Sequence, residues 1–190
     1  MITKTIIIPC FNEFKTIELI LEKVKKNIST EDNIIIVDDG SNDGTKEYLE
    51  SISDKNIDVK FHDINQGKGK AIQTALSGNL NEIIIIQDAD LEYNPNDYKL
   101  LLKPFEETNA DVVYGSRFIG TNDYVRVHLF WHYLANKILT FICNIFTNLN
   151  MTDMETGYKS FKKDAIQSIK LNEKSFGIEP EITIKLAKKK

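Results

Sequence analysis

The chain contains very few arginines and cysteines, and it has no long uninterrupted run of apolar residues. Arg117 and Arg126 are its two arginines among 24 basic residues, so lysine is the ordinary surface cation. A guanidinium is planar, permanently charged and able to form two parallel hydrogen bonds. Two arginines close together therefore predict a place in the protein where such a group is needed.

The shortage of cysteine excludes several kinds of site. Cys10 and Cys143 lie far apart and match no zinc-binding or redox spacing, which favours a reducing compartment. The chain begins with an apolar strand pattern and shows no secretory signal, so we expect a cytoplasmic protein. His128 and His132 are four residues apart, but no third ligand lies nearby. They are better explained as packed or interfacial histidines than as zinc ligands.

The charge balance argues against a nucleic-acid-binding protein. The 190 residues include 28 acidic and 24 basic side chains, which gives a net charge of −4. Broad binding to nucleic acid requires a basic surface. Hydrophobic residues make up 42% of the chain and charged residues 27%, values typical of one folded globular domain.

Apolar runs alternate with helical patterns over most of the chain. Four of these runs end in polar or acidic clusters: residues 5–8, 33–37, 83–86 and 111–114. A fifth, weaker run covers residues 57–62. Helical periodicity occupies residues 14–27, 43–53, 68–80 and 96–107. This alternation predicts a single doubly wound, mostly parallel α/β sheet with helices on both faces. Ligands of such sheets bind beyond the carboxyl ends of the strands.

A different pattern follows residue 117. Residues 127–149 form a long apolar helical stretch that is too polar for a transmembrane span. Its apolar face either packs in the core or meets lipid, and both interpretations stay open. A strand over residues 157–161 and a helix starting near Glu179 complete the pattern.

Three polar clusters follow predicted strands. Asp88 and Asp90 leave one strand end with the oxygen ligands that Mg²⁺ or Mn²⁺ prefers, although a capped turn would explain them too. Asp39 and its neighbour Asp38 either accept hydrogen bonds from a base or ribose or orient their own loop. Lys68 opens a helix at a glycine-rich turn, where it either favours a phosphate or simply starts an exposed helix. That turn matches neither the dinucleotide fingerprint nor a P-loop.

Five linked motifs resemble family 2 glycosyltransferases over about the first 120 residues. They are PCFNE at 9–13, VDDGS at 37–41, NQGKG at 65–69, DADL at 88–91 and GSR at 115–117. Two more, DMETGYK at 153–159 and FGIEPE at 176–181, are similar to the polyprenol-phosphate branch, which includes dolichol-phosphate mannosyltransferase.

The resemblance implies a glycosyltransferase A fold in one domain over residues 1–190. Residues 1–120 would form the nucleotide-sugar half and residues 121–190 the acceptor half, which we expect to be truncated at its C-terminus. The implied enzyme is metal-dependent, uses Mg²⁺ or Mn²⁺, and transfers a sugar with inversion from GDP-mannose or UDP-glucose to a polyprenol phosphate. It would act on the cytoplasmic face of a membrane.

The resemblance also implies roles for individual residues. The nucleoside pocket would be lined by Pro9, Phe11, Glu13, Val37 and Asp39. The metal would be held by Asp88, Asp90 and Glu92, with Ala89 against the ribose and Lys68 on the donor. Arg117 would bind the sugar diphosphate and Arg126 the acceptor phosphate. Asp153 would serve as a base or position the acceptor, and Asp90, Arg117 and Asp153 form the predicted catalytic set.

Two other functions fit the same residues. One is a glycosyltransferase that acts on a saccharide hydroxyl during polysaccharide synthesis, in which case a carboxylate must take the proton of the hydroxyl. The other is a nucleotide-sugar-binding module without activity.

Overall fold

The computed structural model describes residues 2–118 and 129–189. Its strands are β1 (Lys4–Cys10), β2 (Asn33–Asp38), β3 (Ile57–Phe61), β4 (Ile83–Ile86), β5 (Val112–Tyr114) and β6 (Lys159–Lys162). Its helices are α1 (Ile17–Lys25), α2 (Thr45–Glu50), α3 (Lys68–Leu76), α4 (Tyr98–Thr108), α5 (Phe130–Thr147), α6 (Lys163–Gln167) and α7 (Ile178–Ala187). A 3-10 turn at Pro95–Asp97 precedes α4.

The strands form one six-stranded sheet in the order β3-β2-β1-β4-β6-β5. The pairs β1–β2, β2–β3 and β1–β4 are parallel, whereas β6 is antiparallel to both β4 and β5. The predicted mixed α/β sheet is therefore confirmed. The sequence pattern did not predict that β6 would run between β4 and β5.

Alternate strand residues point to opposite faces of the sheet, and helices bury both faces. One core combines α1, α2 and α4 with the strand residues Ile6, Ile8, Ile34, Ile36, Ile83 and Ile85. The other combines α3, α6 and α7 with Ile7, Ile35, Val37, Ile84 and Ile86. Helices therefore cover the two faces, as the continuous isoleucine runs predict.

The helix bounds differ from the predicted ones mainly at the ends. Helix α1 begins at Ile17 rather than at residue 14, because a turn in which the Thr16 amide donates to the Glu13 carbonyl comes first. Helix α2 begins after Gly44, whose φ of 101° marks the entry. Helix α6 has no separate signal in the sequence, since it occupies only five residues.

Helix α5 turns its polar side toward the protein. Its buried residues are Asn136, Thr140 and Cys143, while its large apolar side chains are exposed: Phe130, Trp131, Tyr133, Ile138, Leu139, Phe141, Ile142, Ile145 and Phe146. This is the reverse of the usual surface helix, whose apolar stripe faces the core. Over residues 2–118 and 129–189, the structure contains no helix with the length and apolarity needed to cross a bilayer.

Candidate active site

A cleft of about 470 Å³ opens at the carboxyl ends of β1, β2 and β4. Its walls come from the ends of these strands, from the start of α3 and from the segment before α7. The structure thus brings together eight residues predicted to bind the donor: Pro9, Phe11, Glu13, Asp39, Lys68, Asp88, Ala89 and Asp90. Ser175 and Phe176 complete the lining opposite them.

The turn after β1 is held to the turn after β2 by hydrogen bonds. The Asn12 amide donates to Ser41 Oγ at 2.8 Å, and the Asn42 amide donates to Asn12 Oδ1 at 2.9 Å. The Glu13 amide donates to Thr45 Oγ1 at 2.9 Å. These bonds place Phe11 at the mouth of the cleft, where its ring is 43% exposed and available for stacking.

Asp39 is buried and accepts several hydrogen bonds from its own surroundings. Its carboxylate contacts His62 Nδ1 at 2.6 Å and accepts from the amides of Gln66 and Gly67, the latter at 2.7 Å. His62 in turn contacts Thr74 Oγ1 at 2.9 Å through its other ring nitrogen. Of the two interpretations of this aspartate, the geometry therefore favours the one in which it orients the loop before α3.

Asp88 and Lys68 form an ion pair inside the cleft. Lys68 Nζ lies 2.8 Å from Asp88 Oδ1 and 3.2 Å from Glu179 Oε1. Burial alone would lower the pKa of Lys68, but the two carboxylates outweigh it and raise that pKa. The second oxygen of Glu179 contacts Lys159 Nζ.

Asp90 is exposed in the same cleft, and its Oδ1 accepts the Glu92 amide at 2.9 Å. Within the described residues no three His, Cys, Asp or Glu side chains are grouped so as to hold a metal ion. The predicted triple set of Asp88, Asp90 and Glu92 is thus not assembled here, although the first two share the cleft.

Three glycines explain how the segments approach so closely. A Cβ on Gly157 would overlap the Asp88 carboxylate, and a Cβ on Gly67 or Gly69 would overlap the backbone at 173–175. The antiparallel register that pairs Ile85 with Ser160 brings Gly157 opposite Asp88. Glycine is therefore required for the close approach of the backbone to the Asp88 carboxylate and beside Lys68.

Arg117 and Asp153 form a bidentate ion pair beside the cleft. Arg117 Nε donates to Asp153 Oδ2 at 2.8 Å and Nη2 donates to Oδ1 at 2.9 Å. Asn136 of α5 adds a hydrogen bond of 2.7 Å to the same carboxylate. Burial would raise the pKa of Asp153, but the bonds from Arg117 and Asn136 outweigh it and hold that pKa below its ordinary value.

A second, smaller pocket of about 260 Å³ lies on the α5 side of Arg117. Its lining combines Arg117 and Glu155 with aromatic and apolar side chains, Phe118, His132, Tyr133 and Leu139. Tyr93 lies near both Gly157 and Arg117, because its hydroxyl accepts the Gly157 amide at 2.9 Å and the charge of Arg117 acts on it. Burial raises the pKa of this tyrosine to about 12.

Of the predicted site residues that the structure describes, four do not line the cleft: Val37, Glu92, Arg117 and Asp153. Val37 is fully buried, because its side chain points to the face of the sheet that α3 covers. Arg126 lies outside the described residues.

A profile of the Glycosyl transferase family 2 matches residues 5–170. This chain belongs to glycosyl transferase family 2.

Two relatives of this family 2 member have names that include a lipid phosphate. It is 25% identical to undecaprenyl-phosphate mannosyltransferase of Micrococcus luteus, with 96% of this chain and 76% of that protein aligned. It is 28% identical to the UDP-N-acetylglucosamine–dolichyl-phosphate N-acetylglucosaminyltransferase of Methanococcus voltae, over 85% of this chain and 70% of that protein. These similarities agree with the polyprenol-phosphate branch that the motifs indicate.

The fold is shared with solved glycosyltransferase A structures. Glucosyl-3-phosphoglycerate synthase of Mycobacterium tuberculosis, crystallised with Mn²⁺, UDP-glucose and phosphoglyceric acid, superposes with a TM-score of 0.75 at 16% identity. The superposition covers 98% of this chain and 67% of that one. Several other matched proteins are longer still, and the chain spans 58% of one relative and 55% of one structure. The glycosyltransferase A fold is thus confirmed.

Sequence reasoning gave no role to several residues of this family 2 site. Lys159 is the first residue of β6 and is fully buried, and a fully buried lysine requires an acid to pair with it. Glu179 is that acid, and it belongs to the FGIEPE segment at 176–181. Gly157 lies in the DMETGYK segment, yet its contact with Asp88 depends on strand pairing.

Proposed function

We propose that this chain transfers a sugar, with inversion, from a nucleoside-diphosphate donor to a polyprenyl phosphate. One observation carries the proposal. The segment 155–157 links the cleft that contains Phe11 and Lys68 to the pocket in which Arg117 meets α5, because Gly157 lies against Asp88 and Glu155 lines the pocket. A donor diphosphate and a lipid phosphate can therefore be held next to each other.

The donor cleft offers groups for each part of a nucleotide sugar. The exposed ring of Phe11 stacks on the base, and the ammonium of Lys68 binds a diphosphate oxygen. Pro9 and Glu13 border the nucleoside, and Ala89 leaves room for the ribose. GDP-mannose and UDP-glucose both fit this set.

Asp88 and Asp90 fit Mg²⁺ or Mn²⁺ through the chemistry of their donors. Hard oxygen ligands suit these cations, and Mg²⁺ is usually held by one or two carboxylates with substrate phosphates completing its shell. Such a cation, when bound, neutralises charge on the leaving diphosphate. Two carboxylates in one cleft are therefore sufficient without a third protein ligand.

Arg117 binds either the acceptor phosphate or the donor diphosphate from the pocket that α5 lines. An oxygen of the acceptor phosphate attacks the anomeric carbon while the bond from that carbon to the diphosphate oxygen breaks, and the nucleoside diphosphate leaves. The nucleophile is already anionic, so no general base is needed. Because Asp153 is buried and paired with Arg117, we assign it to positioning that guanidinium rather than to proton transfer.

The apolar face of α5 supports binding at a membrane surface. Trp131 is 74% exposed and Phe146 is 83% exposed, on a helix whose polar side is buried. A contiguous exposed apolar face of this kind is costly in water and is favourable in the interfacial region of a bilayer. We propose peripheral association, which brings the pocket of Arg117 to the level of lipid headgroups.

A thermal-shift panel of nucleotide sugars with Mn²⁺ tests the donor half of the proposal. Bound donor raises the melting temperature by mass action. Asp90→Ala should remove the Mn²⁺-dependent part of the shift, whereas Asp58→Ala, a carboxylate on β3, should retain it. Transfer of radiolabelled sugar to a polyprenyl phosphate tests the acceptor half. A full Mn²⁺-dependent shift in Asp90→Ala would contradict the cation role.

A saccharide hydroxyl is the second candidate acceptor, and Glu155 favours it. This carboxyl lines the pocket of Arg117, is half-buried, and has a pKa raised by burial, as a general base requires. Glu155→Gln should abolish transfer to a hydroxyl and spare transfer to a lipid phosphate. Equal activity of this variant on both acceptors would remove the second candidate.

A further inference from the structure

Four charged side chains form an alternating row from the donor cleft into the core. Lys68 Nζ bridges Asp88 Oδ1 at 2.8 Å and Glu179 Oε1 at 3.2 Å, and Lys159 Nζ contacts the other oxygen of Glu179. The row therefore runs Asp88, Lys68, Glu179, Lys159, with two negative and two positive members.

The inner half of this row is fixed. The side chain of Lys159 is fully buried and that of Glu179 is 5% exposed. Lys159 also donates to the Thr156 carbonyl and lies 4.9 Å from the centroid of the Tyr114 ring. Since removing either buried partner would leave an uncompensated charge, Glu179 stays in place whatever happens in the cleft.

The outer half of the row is open to the cleft. Lys68 and Asp88 retain 17% and 19% exposure of their side chains, and both line the donor cleft. Lys68 is the member shared by two carboxylates. It can release Asp88 and still keep an ion pair with Glu179.

We propose that Lys68 is an internal counter-cation that keeps Asp88 from binding a divalent cation until a diphosphate enters the cleft. Glu179 retains Lys68 when Asp88 is released, so Glu179 acts as a positioning residue. This inference rests on the proposed role of Asp88 as a cation ligand.

The electrostatics set the order of binding. A divalent cation held by Asp88 would share that carboxylate with the Lys68 ammonium, and like charges repel strongly in a partly buried site. A diphosphate removes the conflict, because its oxygens accept from Lys68 and also complete the shell of the cation. Cation and nucleotide should therefore bind far more tightly together than separately.

The test measures free Mn²⁺ by electron paramagnetic resonance during titration of the full chain, with and without UDP or GDP. Lys68→Gln should raise the Mn²⁺ affinity of the nucleotide-free protein on the order of tenfold, and it should weaken the mutual enhancement between Mn²⁺ and nucleotide. Lys68→Arg keeps the charge and should behave like the parent chain. A structural defect would lower affinity, so a gain reports the proposed competition.

Matched controls separate this inference from the proposed function. Lys70→Gln removes the same charge from the same helical turn, and Lys70 is paired with neither Asp88 nor Glu179 in the described part of the chain, so Mn²⁺ affinity should not change. Asp88→Asn should abolish Mn²⁺ binding in the presence of nucleotide. If it does so but Lys68→Gln leaves nucleotide-free affinity unchanged or lower, the counter-cation role is overturned and the cation site stands. If Asp88→Asn has no effect, the cation site itself fails and the inference fails with it.

Discussion

Asp153 and Arg117 form a bidentate ion pair, with Nε–Oδ2 and Nη2–Oδ1 distances of 2.8 and 2.9 Å. The Arg117 backbone amide adds a bond of 3.1 Å to the same carboxylate. Asn136 connects the pair to α5, and Thr140 supports Asn136 through a bond of 2.9 Å. The orientation of this guanidinium is therefore tied to the helix that presents the apolar face.

Asp153→Asn should reduce transfer to a polyprenyl phosphate on the order of a hundredfold, because it releases the guanidinium that stabilises charge in the transition state. If Asp153 acts only through Arg117, the double variant of Asp153→Asn and Arg117→Lys should have nearly the same kcat/KM as Arg117→Lys alone. The measurement is kcat/KM for the two single variants and the double variant. If the two losses in kcat/KM multiply in the double variant, Asp153 has a chemical role of its own.

Acid should weaken the fold through the buried pair of Lys4 and Asp32. Lys4 Nζ lies 2.6 Å from Asp32 Oδ2, and the Asp32 side chain is 1% exposed. Burial would raise the pKa of Asp32, but hydrogen bonds from Lys4 and Ser29 outweigh it and lower that pKa from its ordinary value of 3.8. A carboxyl with a lowered folded-state pKa contributes stability at higher pH, and that stability is lost as pH falls below about 4.

Urea unfolding at pH 7 and pH 3 measures this contribution. Asp32→Asn should cost about 3 kcal/mol at pH 7, because it leaves the buried ammonium of Lys4 unpaired. The loss should shrink at pH 3, because there the carboxyl of the unfolded chain, with its ordinary pKa of 3.8, is largely protonated and the parent has already lost part of this stability. An equal loss at both pH values would show that the ion pair does not carry the pH dependence.

Gly157→Ala should impair donor binding more than the addition of one methyl group suggests. The new methyl group would overlap the Asp88 carboxylate and approach the Tyr93 ring at 3.0 Å. We expect a destabilisation of about 1–3 kcal/mol and a loss of Mn²⁺-dependent nucleotide binding, because overpacking forces Asp88 to move. Calorimetric titration with UDP and Mn²⁺ is the measurement.

Gly177→Ala is the matched control for this substitution. A methyl group at 177 would meet the Glu173 carboxylate oxygen at 3.1 Å, at the end of a side chain that can move away. Nucleotide binding should therefore stay close to that of the parent chain. If both alanine variants lose binding equally, the close approach of residue 157 to Asp88 is not the cause.

Replacement of two exposed aromatic residues on α5 should detach the chain from vesicles. Trp131→Ser with Phe146→Ser removes two large apolar side chains that are mostly exposed, so the fold should tolerate the change. Flotation with anionic phospholipid vesicles should show at least a tenfold weaker partition, since each buried aromatic contributes on the order of 2 kcal/mol. Leu100→Ser, which alters a 53% exposed residue on α4, is the control and should float as the parent does. Unchanged flotation of the double variant would remove α5 from the membrane interface.

The predicted strands and the meeting of their polar ends in one cleft followed from local pattern, and the structure explains why. Each isoleucine run is continuous because both faces of the sheet are covered, and parallel strands bring their carboxyl ends to one edge, where Phe11, Lys68 and Asp88 meet. Val37 was the exception in the nucleoside set. Val37 belongs to the buried strand β2, and its side chain points into the core.

The amino-acid sequence alone determined the kind of sheet, the edge at which the cleft opens and the family, because these depend on periodicity and on residues close together in the chain. Only the tertiary structure decided which charges meet. The insertion of β6 antiparallel between β4 and β5 brings Gly157 to Asp88, Lys159 to Glu179 and the loop of Asp153 to Arg117. Pairing between strands so far apart in sequence leaves no local signal, since it depends on hydrogen bonds and burial that exist only once the sheet has formed.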